Sequence, residues 1–306
     1  MNYSLYKPWM HDQIINLFVA QYNVGFDEFA TKFKEFYFHP YQQNKAIMLV
    51  ALEGETVAGF QSFFHWPMEF EKKRLNVYQS GNSIINPDFR GQRLFNKLLQ
   101  QIHLGEQYDS IDFLMGFPVV ASYKSFIRDE WLNPFDLEWY VKIINPVAGV
   151  FSANSDFADP PELTNYVQNG KFLKTNYNSE FNAWRANFSD PKHYFRPKQF
   201  ENILLEFKVT KRKRFINELT IGNFYGDPMQ LKGALNELTG YAFRKFNVTI
   251  VSMAISANNY EIIECLKSSG FKKINKAIHF IYKPMKINPQ EQYGNWMLTR
   301  GDIDTW

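Results

Sequence analysis

The chain has 306 residues and a formal net charge of +3, from 34 Lys and Arg against 31 Asp and Glu, too slight a balance for the dense basic stripe of a nucleic-acid-binding surface. Its one cysteine, Cys265, excludes an internal disulfide and fits a reducing compartment. With no run of about 18 apolar residues and no apolar leader region, the expectation is a soluble, cytoplasmic protein without a membrane partner.

Asn2 to Trp9 alternates like a strand, and Asp12 to Tyr22 carries Ile14, Ile15, Phe18 and Val19 at helical spacing. A second helix is predicted from Asp27 onward. AIMLVALEGETVAGFQSFFHW, residues 46 to 66, reads as two β-rich runs about a turn at Glu53 to Glu55, with another strand over Arg74 to Ile85. Leu94, Phe95, Leu98, Leu99 and Ile102 then mark one face of a helix that starts near Gly91. SIDFLMGF is a strand ending near Phe117, Val120 to Glu130 a helix, and LEWYVKII a strand that closes a first unit near Asn145.

Residues 145 to 163 are rich in small residues, Pro and Asp, as a linker would be. Beyond them the pattern recurs. ENILLEFKV and KRFINELTIGNF, joined near Thr210 to Arg212, form a predicted hairpin; Asp227-Pro228 opens a helix with Leu231, Ala234, Leu235 and Leu238 inward. NVTIVSMAIS is the next strand, NYEIIECLKSSGF a helix ending at Gly270, and KAIHFIYKP a final strand. The fold class is therefore α/β (α+β), a mixed, mostly antiparallel sheet flanked by helices. Two tandem units are expected: residues 1–145, a linker at 146–176, and residues 177–306 ending in a tail.

INPDFRGQRLFNKLLQQI, from Ile85 to Ile102, puts an Arg-Gly turn directly between a strand and a helix. The unpaired first-turn N–H groups and the positive end of the helix dipole make an anion site, and Arg90 and Arg93 add charge suited to a pyrophosphate. The same stretch resembles the acyl-CoA loop of the GNAT N-acyltransferase family, with Pro87, Arg90, Gly91, Gln92, Leu94 and Phe95 fitting as they stand. Arg93 stands where that family has Gly, and in GFPVVASYKSF, which resembles its GFPN..S segment, Val119 stands where Asn is usual. FNAWRANFSDPKHYF and NWMLTRGDIDTW resemble segments of long GNAT-like proteins that occur with surface-polysaccharide synthesis.

That resemblance implies acetyl-CoA as co-substrate, held by Ile84, Ile85, Arg90, Gly91, Gln92, Arg93, Leu94 and Phe95, with main-chain N–H groups at Ile84 and Ile85 for the oxyanion. For the thiol acid the family uses a Tyr where this chain has Phe126; the nearest is Tyr123. For the base, YQSGNSII has no carboxylate, leaving water held by Gln79, Asn82 or Ser83, His65 or Glu69, or the tail carboxylates Asp302, Asp304 and that of Trp306. The catalytic candidates are Tyr123, Asp302 and Asp304. No metal is expected, because the six His lack paired ligand spacing.

The second unit has NFYGDPMQLKG in place of an Arg-Gly loop, so a single acyl-CoA site is expected, in the first unit. The implied activity is transfer of an acetyl group to a small amine, an amino sugar or sugar nucleotide. Two other readings stay open: a non-catalytic acyl-CoA-binding or interaction module, and an aminoacyl transferase of the peptidoglycan-bridge type.

Overall fold

A computed structural model describes residues 1–144, 157–158, 171–188, 191–213 and 216–306. The expected linker at 146–176 lies largely outside the described residues.

The first sheet contains β1 (Asn2–Leu5), β2 (Ile47–Glu53), β3 (Thr56–His65), β6 (Val77–Ile85), β7 (Phe113–Gly116) and β16 (Ile281–Pro284), in the order β1-β2-β3-β6-β7-β16. Only β6 and β7 run parallel, joined by a crossover through α3 (Leu94–Leu99). One face packs on α1 (His11–Tyr22), α2 (Phe26–Tyr37) and α5 (Ser179–Phe188), where Phe18, Phe33, Phe60, Phe64 and Trp184 share a core. The other packs on α3 and α4 (Val120–Arg128), around Phe63, Leu94, Leu98, Phe126 and Trp131. This two-faced burial follows from β3's alternation: Phe60 and Phe64 point one way and Phe63 the other.

Between β3 and β6 lies a hairpin, β4 (Met68–Phe70) and β5 (Lys73–Leu75), paired on its other edge with β10 (Lys174–Thr175). The predicted strand Arg74 to Ile85 is thus broken in two. At the break, the Asn76 N–H donates to the Asp112 carboxylate at 2.7 Å, while Glu71 (φ 49°) and Lys72 (φ 79°) form the tight turn.

The second sheet runs β15-β8-β14-β13-β12-β11-β9. Its members are β8 (Asp136–Ile143), β9 (Phe157–Ala158), β11 (His193–Phe195), β12 (Ile203–Lys213), β13 (Ile216–Gly226), β14 (Val248–Ser256) and β15 (Lys272–His279). Where a turn is expected near Thr210 to Arg212, β12 continues to Lys213 and β13 begins at Ile216; residues 214–215 lie outside the described residues. Here β13 and β14 are the parallel pair, connected by α6 (Leu231–Phe246), which packs with α7 (Tyr260–Ser268) over the sheet through Leu231, Leu235, Leu238, Ile262 and Leu266.

The two halves of the chain exchange strands. β8, expected to close the first unit, pairs with β14 and β15, and β16, from the far end of the chain, pairs with β7. The predicted single strand KAIHFIYKP is correspondingly two. Between its halves sits Phe280, fully buried against Phe135 and Trp296, each with ring centroids 5.0 Å away; the chain passes from one sheet to the other through that aromatic contact.

Candidate functional site

β6 and β7 pair from Val77–Phe113 to Ser80–Gly116. There β7 stops, while β6 continues to Ile85. The sheet forks, and among the described residues no strand pairs with residues 81–85 on the β7 side.

On its other side β6 carries a bulge: Phe60 pairs with Ile84 but Ser62 with Gly81, so β6 accommodates one extra residue. Asn82 takes it up in the left-handed region, at φ 45°. Its side-chain amide donates to the Tyr37 hydroxyl at 2.7 Å, Tyr37 lies 2.7 Å from the Ser62 hydroxyl, and Ser62 donates to the Gly81 carbonyl at 2.6 Å. A buried tyrosine of α2 thereby fixes the bulge.

Past the bulge, the Asn86 N–H donates to the Ala58 carbonyl at 3.0 Å. Successive strand N–H groups point to opposite sides, so Ile84 faces β3 and Ile85 faces the fork. Of the two expected oxyanion positions, only Ile85 offers its N–H to the opening. The Ile85 carbonyl accepts from Arg90 Nε at 3.3 Å, and the same guanidinium reaches Gln21 Oε1 at 3.1 Å.

The Arg-Gly loop is tighter than its sequence predicts. Gly91 has φ 80° and Arg93 φ 54°, so the helix expected from Gly91 to Ile102 is α3, Leu94–Leu99 only. Its apolar face is as expected: Leu94, Leu98 and Leu99 are buried, and Phe95 meets Phe126 edge-on with centroids 5.3 Å apart. Arg90, Gly91, Gln92 and Arg93 are all exposed, and no side chain caps the free first-turn N–H groups of α3. Arg93 thus carries a side chain in the conformation that glycine adopts freely, and that side chain stands in solvent.

The three catalytic candidates lie in three settings. Tyr123 stacks on His279, the last residue of β15, centroids 4.3 Å apart, and its hydroxyl donates to Asn133 Oδ1 at 3.3 Å. Phe126, in the family's Tyr position, is 4% exposed and packed on Trp131. Asp302 is buried with both oxygens committed: one accepts from Thr175 at 2.6 Å and Tyr177 at 2.7 Å, the other from the Thr299 N–H at 2.6 Å and hydroxyl at 3.0 Å. Burial raises its carboxyl above the usual range against those four donors. This is a capping residue for the turn Arg300–Asp302, with no lone pair directed at the fork.

Asp304 is different. It is partly exposed, and its Oδ2 lies 3.0 Å from where a Cβ on Gly81 would be. That is the first residue of β6 beyond the fork, at the bulge. Burial raises the Asp304 carboxyl, opposed by the Thr305 N–H and by Arg300 and Arg185. A carboxyl so shifted is a stronger proton acceptor than an ordinary aspartate.

The tail that carries these aspartates is not a solvated terminus. Trp296, Leu298 and Thr299 are fully buried, Thr299 bridges to Ile255 of β14, and Arg185 of α5 donates to the Gly301 carbonyl at 2.7 Å. From the first sheet, Gln79 donates to the Asp302 carbonyl at 3.1 Å. The tail lies where β13 and β14 part beyond Ile221–Met253, so the second fork is filled by the chain itself.

Two further base candidates, His65 and Glu69, are occupied. His65 bonds Tyr41 at 2.7 Å and burial lowers its pKa to about 3, and Glu69 faces Lys174 at 3.6 Å. A cavity of about 560 Å³ lined by Tyr6, His11, Lys34 and Phe38, among others, shares no residue with the fork. Among the described residues no three His, Cys, Asp or Glu converge as metal ligands would.

No family model and no curated protein matches the sequence. Solved structures do. A conserved protein of unknown function from Enterococcus faecalis, named a probable N-acyltransferase, superposes with a TM-score of 0.68 at 10% identity, over 95% of this chain and 74% of that one. GCN5-related N-acetyltransferases from Anabaena variabilis (TM-score 0.66, 12% identity) and Kribbella flavida (0.65, 9%) each match over 93% of this chain and 72% of theirs. The chain has the fold of these proteins.

Proposed function

We propose, from the fold it shares with GCN5-related N-acetyltransferases, that this protein transfers an acetyl group from acetyl-CoA to a small primary amine. The observation that carries the reading is the open fork at β6–β7 with Asp304 against its first unpaired residue. Extended main chain at residues 81–85 suits the amide-bearing pantetheine arm, which hydrogen-bonds as a strand does. The exposed loop at Arg90 to Arg93, leading into free helix N–H groups, suits the pyrophosphate.

The chemistry follows from these groups. An amine nitrogen attacks the thioester carbonyl carbon; Asp304 takes the proton that nitrogen sheds. The carbonyl oxygen, gaining charge, accepts from the Ile85 N–H. The C–S bond then breaks and the sulfur leaves as thiolate, taking its proton from water, since Phe126 supplies none and the Tyr123 hydroxyl is donated to Asn133.

The same lack of a side-chain acid favours the second reading, a module that binds acyl-CoA without turnover. For the acceptor, resemblance to proteins of surface-polysaccharide synthesis supports an amino sugar or sugar nucleotide. Calorimetric titration with acetyl-CoA, then a thiol-release assay with a panel of primary amines led by amino sugars, tests both. Saturable binding with release supports transfer; binding without release across the panel leaves the module; no binding at millimolar acetyl-CoA removes both.

A further inference from the structure

In the second sheet, a pocket outside the fork is filled by one side chain of the tail. Trp306 is 4% exposed. Its indole N–H donates to Glu206 Oε1 at 2.6 Å, and its ring lies against Gly222, where an added Cβ would meet ring atoms at 2.1 to 2.4 Å. Lys208 Nζ and Arg300 Cζ stand 4.8 Å and 5.6 Å from the ring centroid. The turn preceding it is seated just as closely: a Cβ on Gly301 would lie 2.7 Å from the Gly222 carbonyl oxygen.

Glu206 is built to receive that indole. It is buried on β12 and also accepts from the Tyr225 hydroxyl at 2.8 Å, with Lys192 Nζ at 3.6 Å. Burial works to raise its carboxyl, but Lys192, Arg185, Trp306 and Tyr225 outweigh it and keep the group ionised. An ionised buried acceptor bonding an indole N–H is a strong, directional contact.

We propose that Trp306 is a positioning residue: docked on Gly222 and Glu206, it fixes the segment from Thr299 to Trp306 so that Asp304 is held against the bulge of β6. The inference rests on the acetyl-transfer reading, and it assigns the second sheet a task, to hold the proton acceptor of the first. The segment is gripped at both ends. Asp302 is bonded upstream and Trp306 downstream, and Asp304 lies between them with a side chain free to face Gly81. The charged and titratable groups around Asp304 are Arg300 on its own segment, Arg185 from α5 and Tyr37 from α2.

Two variants separate anchoring from general stability. Gly222→Ala puts a methyl group into the indole ring and displaces Trp306; Trp306→Phe keeps an aromatic ring but loses the bond to Glu206. In each, the Asp304 carboxyl is titrated by carbon NMR, its signal assigned through Asp304→Asn, and acetyl-CoA affinity is measured by calorimetry. The expected result is a downward shift of the Asp304 titration toward the ordinary carboxylate range, larger in Gly222→Ala, with acetyl-CoA affinity held within about twofold because the donor contacts are separate. Should Gly222→Ala fail to fold, Trp306→Phe alone decides. An Asp304 titration superimposable on that of the unaltered chain, with acetyl-CoA binding intact, overturns the anchor; absence of acetyl-CoA binding by the unaltered chain overturns the reading on which it rests.

Discussion

At the scale of single residues, two aspartates two positions apart have opposite fates. Asp302 spends its lone pairs on four donors, so Asp302→Ala leaves buried hydroxyls and an N–H without their acceptor and is expected to cost about 2–3 kcal/mol, read as a lower urea midpoint. Asp304→Asn is expected to lower kcat by about 100-fold or more with acetyl-CoA affinity unchanged in calorimetry. The proton acceptor must be ionised, so the rate should rise with pH through the raised Asp304 pKa and then level; the variant should lose that limb. His65 gives a separate signal in stability. Its pKa is lowered to about 3 by burial, so the unfolded chain binds the proton first. Its contribution is complete above the unfolded value of 6.5 and is lost as pH falls toward 3. Melting temperature between pH 7 and 5 should fall less steeply in His65→Gln. The distinction between the two aspartates was not legible in the sequence, where both were candidates ahead of His65: which carboxylate is satisfied depends on Thr175, Tyr177 and Thr299, brought together only by the fold.

Elements were more readable than contacts. Helical spacing found α1, α4, α6 and α7 within a few residues, and two β-rich runs about a turn marked the β2–β3 hairpin, because a buried stripe constrains every turn of a helix and a strand covered on both faces is apolar almost throughout. The exceptions are local. The break at Asn76 depends on Asp112, distant in sequence, and α3 starts late because Gly91 and Arg93 both adopt positive φ. α5 shows only weak helical periodicity in the sequence; its Trp184 and Arg185 are buried against α2 and the tail, where polar and aromatic residues do not present a plain apolar stripe. Arg93 makes a sharp comparison: glycine should relieve the left-handed backbone, whereas alanine keeps the Cβ and loses the guanidinium. Arg93→Gly is therefore expected to be more stable than Arg93→Ala by about 1 kcal/mol, measured by chemical denaturation.

For the molecule as a whole, periodicity correctly suggested two sheets of similar plan, yet it could not say which strand belongs to which. β8 and β16 each read as a plausible last strand of their own half, and only pairing partners distinguish them. The exchange makes the halves one cooperative object. A chain cut to residues 1–145 retains β8 without β14 and β7 without β16, and is expected to show no cooperative urea transition, where the full chain shows one. Synthesis gives the exchange a further consequence. The first sheet has its inner strands early but receives β16 only after β8 to β15 have been made, which at about 5–20 residues per second leaves the exposed edge of β7 waiting on the order of ten seconds or more. During that interval β8 likewise waits for β14 and β15. A nascent chain of this plan is a natural client for a chaperone that shields strand edges on the ribosome, and slowing elongation beyond β8 should lengthen that exposure rather than help the protein fold.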